Sequence, residues 1–152
     1  MTMTVDSQKP FIPGMARFYR CVSPYGYALM RFATGAILVP HGVQKVLYRS
    51  VTNYGQMIAS KGLPAAEVLA YLVFFSESVA AACLTIGLFT RIAAAMVGIQ
   101  MLVIVFLFQW QFGYFWTDKG LEFALLWAAL CIGIFFHGGG RYSVDHLIGK
   151  EF

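Results

Sequence analysis

Apolar positions run along this chain in four long stretches separated by short polar segments, at about residues 25–47, 67–88, 92–112 and 119–137. Each approaches the roughly 20 apolar residues needed to cross the hydrocarbon core of a bilayer. Residues 1–24 are more polar and carry Pro10, Pro13, Arg17 and Arg20, which predicts a cytoplasmic lead-in lying partly along the membrane surface. Ser23-Pro24 predicts the first helix start, with serine as N-cap and proline at the first helical position. Residues 48–66 are too polar to cross, but Val51, Tyr54, Met57 and Ile58 recur at helical spacing and predict a short interfacial helix. Gly62-Leu63-Pro64 ends it. The link from Gly87 to Arg91 is so short that the stretches on either side form an antiparallel hairpin, with Thr90 as N-cap. Asp118 is the expected N-cap of the fourth stretch, and the glycines after His137 stop it.

Polar residues inside these stretches are few and patterned. At about 100° per residue, Arg31, Thr34, Gly35, Leu38, His41 and Lys45 share about a third of a helix circumference. Pro40 cannot donate to the Ala36 carbonyl and, with Gly42, predicts a kink beside His41. The second stretch carries Glu77 between Ser76 and Ser78, with Ala70, Ala80, Ala81 and Gly87 on or beside its face. A cation near mid-bilayer costs roughly 2.5–3.5 kcal/mol on insertion scales, so Arg31 is expected to face protein. Depth along the spans predicts two polar layers: Arg31 with Glu77 within the membrane, and His41, Lys45 and Glu122 toward its outer surface. These are candidates for holding an anionic head group or for relaying protons. Purely structural roles use the same residues: a register-fixing ion pair for Arg31 and Glu77, snorkelling for Lys45, and a first-turn carboxylate favoured by the helix dipole for Glu122 and Glu67.

Composition agrees with this pattern. The 152 residues are 59% hydrophobic and 12% charged, against about a quarter charged in an ordinary soluble domain. The mean hydropathy is +0.69. The net charge of +4 is carried by scattered cations, so it sets topology and is no nucleic-acid footprint. With both ends inside, Lys9, Arg17, Arg20, Arg91, Arg141 and Lys150 are cytoplasmic, against Lys45, Arg49, Lys61 and Lys119 outside. No secretory leader is expected in residues 1–24. Trp110, Tyr114 and Trp116 fall where an interfacial aromatic belt belongs. Cys21, Cys83 and Cys131 are far apart, without the pairing of a thiol oxidoreductase or metal-type spacing. His41, His137 and His146 fall at different depths, which does not suit a bis-histidine haem, and no ligand set suits zinc or an iron–sulfur cluster.

Taken in order, several short elements resemble the DoxX family of membrane proteins. They are Leu29-Met30-Arg31 with Gly35, His41-Gly42 and Lys45, then Gly62-Leu63-Pro64 and Glu77. The Gly87-Leu88-Phe89-Thr90-Arg91 turn, Glu122 and the ending Gly138-Gly139-Gly140-Arg141-Tyr142-Ser143-Val144-Asp145 complete the set. The resemblance implies an all-α, integral membrane four-helix bundle over residues 25–145, up-down-up-down with both ends inside, in a bacterial inner membrane. Residues 146–152 are then a short cytoplasmic tail tied down by Arg141 and Asp145, with Ser143 as local cap. More loosely, it implies association with redox systems: a non-haem membrane subunit or anchor of a quinone-linked complex. Arg31, His41, Lys45, Glu77 and Glu122 are then the candidate polar or quinone site. Quinone is the candidate ligand, no covalently bound cofactor is expected, and a soluble or membrane oxidoreductase subunit or a second copy is the expected partner. A small oligomeric proton-coupled transporter built around Glu77, or an assembly factor without chemistry, fits the same pattern.

Overall fold

The computed structural model describes residues 12–48 and 51–150. The expectations for residues 1–11 and for Arg49 fall outside it. Every regular element among the described residues is helical. Helix α1 (Ala16–Ala36) runs straight through Ser23-Pro24, so the expected start there is corrected. Pro24 lies in an exposed stretch of the helix, where the carbonyl it leaves free can meet solvent or head groups. The kink expected at Pro40 is a break two residues earlier. α1 ends at Ala36, Ile37 and Leu38 form a turn, and α2 (Val39–Leu47) starts with Pro40 in its first turn, where no N–H is needed.

The interfacial helix forms as α3 (Val51–Ala59), with Ile58 and Gly55 buried where it packs along α4 (Ala66–Phe75). The chain then makes one π-helical turn over Ser76–Ala80 before α5 (Ala81–Ile86). Ala66–Ile86 is thus one helix of 21 residues, and it is long and apolar enough to cross a membrane. The Gly87–Phe89 turn leads into α6 (Thr90–Val103), which continues through a π-helical stretch, Ile104–Gln109, and a short 3-10 turn to Phe112. Thr90–Phe112 is the second helix of sufficient length and apolarity, at 23 residues. Helix α7 (Glu122–His137) is apolar but shorter. Asp118 does not cap it: that residue ends a 3-10 turn, and the helix begins four residues later without a side-chain cap. Helix α8 (Val144–Ile148) follows the glycines, capped by Ser143, whose hydroxyl accepts from the His146 amide at 3.1 Å.

Packing follows residue size. The interior joins Ala80, Ala81, Ala93, Ala94, Ala124 and Ala128 with Leu84, Val97, Cys131 and Ile134. α1 packs on α5, α2 on the π-turn, and α6 on both the π-turn and α7. Trp127 Nε1 on α7 donates to the Thr34 carbonyl at 3.0 Å, joining α7 to α1. Large apolar residues point outward instead, with Ile99 63% and Phe136 73% exposed. Small side chains inside and large apolar ones outside suit helices that meet by close van der Waals contact in an apolar solvent.

Candidate functional site

The polar residues of the apolar helices gather in two places, arranged differently from the two layers expected. The first lies halfway along Ala66–Ile86. Glu77, 4% exposed, forms an ion pair with Lys45 Nζ and accepts from Gln100 Nε2 at 2.6 Å through its other oxygen. The Tyr54 ring lies 4.7 Å from Lys45 Nζ, adding a cation–π contact. Lys45 arrives here because α2 lies close against the π-turn. A Cβ on Gly42 would sit 2.8 Å from the Glu77 carbonyl carbon, and one turn further on the same face of α2 is Lys45. The π-turn carries Ser76 and Glu77 together, and such turns recur at functional sites in helices. Among the described residues two buried side-chain atoms here have no hydrogen-bond partner: Gln100 Oε1, and Oγ of Ser76, which precedes Glu77 in the π-turn. The site thus has one unused donor hydroxyl and one unused acceptor beside a neutralised charge pair.

The second cluster ties the Gly87–Phe89 turn. Arg31, 3% exposed, does not pair with Glu77. Its Nη1 donates to the Leu84 and Thr85 carbonyls, both at 2.8 Å, and its Nη2 donates to the Tyr142 carbonyl at 2.6 Å. Seven residues of helix separate Glu77 from Leu84, about 10 Å at 1.5 Å per residue, so the expected Arg31–Glu77 pair is out of reach. Across the turn, the Asp145 carboxylate accepts from the Phe89 amide at 2.8 Å, the Thr90 amide at 2.9 Å and the Thr90 hydroxyl at 2.7 Å. The Asp145 amide donates to the Gly87 carbonyl at 2.9 Å. A cation therefore closes the C-terminal end of α5 and an anion the N-terminal end of α6, each opposite the helix-end charge it favours. Thr90 is the first residue of α6 and gives its hydroxyl to Asp145 instead of capping. Gly87 holds φ +74°, and a side chain there would meet Arg31 and Ser143. Tyr27 donates to the Gly138 carbonyl, holding the glycine run against α1.

The remaining candidates stand apart. His41 is exposed, and Glu122 is half-buried, accepting from the Trp116 amide at 3.1 Å. The expected outer layer of His41, Lys45 and Glu122 is therefore not assembled. Lys45 has joined Glu77, and Glu122 closes a loop. Arg91 donates to the Phe135 and Phe136 carbonyls at 2.7 and 3.1 Å at the end of α7. Arg141 is exposed, over the Tyr142 ring at 5.8 Å, so Asp145 ties the tail where both had been expected to. Gly35 lies against the Ala81 carbonyl, and Gly140 against the Tyr27 ring.

Gln100 was absent from the candidates, although a signal for it exists. Glu77 and Gln100 lie ten residues before Gly87 and ten after Thr90, at equal depth in one hairpin.

The family model for DoxX matches residues 26–110. Over 149 residues, 91% of each chain, the sequence is 28% identical to an uncharacterized membrane protein of Mycobacterium tuberculosis. No solved structure matches it.

Proposed function

Since this chain belongs to the DoxX family of membrane proteins, we propose that it serves as a non-haem membrane subunit or anchor of a quinone-linked redox complex in a bacterial inner membrane. In this reading all four apolar stretches cross the bilayer, up-down-up-down, with both ends cytoplasmic. The observation that carries the reading is the Lys45–Glu77–Gln100 cluster with its two unused polar atoms. Ionisable groups inside a membrane are costly and are functional candidates by default.

The two unpartnered atoms offer the kinds of hydrogen bond that a quinone head group calls for in its two redox states. An oxidised quinone offers carbonyl acceptors, which the Ser76 hydroxyl can meet. A reduced quinol offers hydroxyl donors, which Gln100 Oε1 can meet. Lys45 and Glu77 neutralise each other, so the site binds a neutral ring without leaving a lone charge in the membrane. A quinone bound here would carry electrons and protons to or from a partner oxidoreductase. This chain's own residues bind the head group and orient it.

Mild-detergent purification of the tagged full-length protein tests the proposal, with mass spectrometry of co-purifying proteins and organic extraction for quinone. The expected result is a stoichiometric oxidoreductase or a retained quinone, with the quinone reduced severalfold by Ser76→Ala and by Gln100→Leu. A clean homo-oligomer with neither partner nor quinone overturns the redox reading. Proton-driven uptake into liposomes that vanishes in Glu77→Gln would establish the transporter in its place.

A further inference from the structure

At the end of the molecule away from Glu77, two concavities lie on either side of Arg141-Tyr142. One is a groove of about 570 Å³ between α1 and the end of α5, with Val22, Tyr25, Leu29, Phe32 and Ile86 among its walls and Arg31 at its base. The other, also about 570 Å³, is a cup bordered by Arg141, His146 and Lys150. We propose that together they bind one acidic phospholipid, its phosphate in the basic cup and an acyl chain along the apolar groove. The proposal is independent of the quinone-linked reading.

Charge complementarity argues for this occupant. Asp145 is the one carboxylate among the described residues bordering the cup, and it is fully committed to Phe89 and Thr90. Arg141 and Lys150, both exposed, outnumber that one buried carboxylate, and His146 adds a further polar side chain at the rim. Among the described residues no carboxylate hydrogen-bonds Arg31, whose guanidinium is held by the Leu84, Thr85 and Tyr142 carbonyls. Among the described residues its buried Nε has no hydrogen-bond partner, an unused donor in a residue that lines the groove. The walls have the other half of the chemistry. Leu29 is 68% and Tyr25 56% exposed, a large apolar surface on the same helix face. Tyr25 stacks on Tyr142 with ring centroids 4.9 Å apart, and Arg141 lies over the other ring of that pair. The aromatic pair thus stands between the apolar groove and the basic cup, where the glycerol backbone of a lipid would lie.

Native mass spectrometry of the delipidated full-length protein in mild detergent tests this, with phosphatidylglycerol and phosphatidylcholine of identical acyl chains as probes. Phosphatidylglycerol adducts are expected to exceed phosphatidylcholine adducts at least tenfold, and Arg141→Gln and Lys150→Gln each to lower that preference about fivefold. Gly26 lines the groove, and a Cβ there meets nothing within 4 Å, so Gly26→Phe fills the groove without disturbing the core and should abolish binding of both lipids. Gly133→Phe, equally unobstructed but on α7, should leave binding unchanged. Equal retention of the two lipids by the wild type overturns the proposal, as does indistinguishable behaviour of the two phenylalanine variants. Displacement of the lipid by millimolar inorganic phosphate also overturns it, in favour of a soluble anion.

Discussion

Lys45 and Glu77 are each tolerable in an apolar interior only because the other is there. Truncating one leaves a buried charge without its counter-ion, at a cost of about 3–5 kcal/mol, whereas replacing both with apolar or neutral groups of similar volume is often close to neutral. Lys45→Met alone is therefore expected to lower the unfolding midpoint in detergent sharply. Lys45→Met combined with Glu77→Gln should recover most of the loss, since the new side-chain amide would still accept from Gln100. Additive effects of the two substitutions would show that the pair is not coupled. Glu77 was legible from the sequence as a carboxylate needing a partner; the identity of that partner was not. Depth along the spans favours Arg31, but its demand is met by the Leu84, Thr85 and Tyr142 carbonyls, and backbone acceptors leave no mark in a sequence. Lys45 is a candidate from the sequence too, but in an outer layer with His41 and Glu122, because its true place depends on how tightly α2 seats on the π-turn.

At the level of elements, that seating rests on Gly42. A side chain there would press into the Glu77–Ser78 backbone at 2.8 Å, and backbone yields less readily than a side chain end. Gly42→Ala is expected to destabilise by about 1–3 kcal/mol through overpacking. Gly26, also within a helix, meets nothing, so Gly26→Ala should stabilise by about 0.5–1 kcal/mol by lowering the entropy of the unfolded chain. Thermal unfolding of the two variants side by side separates close packing from helix propensity. A neutral Gly42→Ala would mean that α2 is free to move off the π-turn. The hairpin at Gly87, the short helix at Val51–Ala59 and its stop at Gly62 were all readable, because turn residues and apolar spacing are local signals. Helix starts are less legible. Ser23-Pro24 has the chemistry of a start, yet the apolar and helix-favouring residues before it extend α1 back to Ala16. Asp118 has the chemistry of a cap, yet the loop folds back on the Glu122 carboxylate and delays α7.

For the molecule as a whole, the distribution of side-chain size is the membrane signature. Small residues predominate where helices cross, with Leu84 and Ile134 enclosed among them, and most large apolar side chains face outward, the reverse of what water selects. Orientation rests on weaker forces, six flanking cations against four, so it calls for a direct test. In a background of Cys21→Ser, Cys83→Ala and Cys131→Ala, single cysteines are placed by Asn53→Cys on α3 and by Lys150→Cys near the end of the chain, both exposed positions. With four spans and both ends inside, a membrane-impermeant maleimide should label the first in intact spheroplasts and the second only after permeabilisation. The reverse pattern would invert the topology and move the Arg141, His146 and Lys150 cup to the outer leaflet. Labelling of both from outside would be harder on the proposal. Residues 53 and 150 would then share a side, so an even number of crossings would separate them, and the shorter α7 would be the stretch that fails to span.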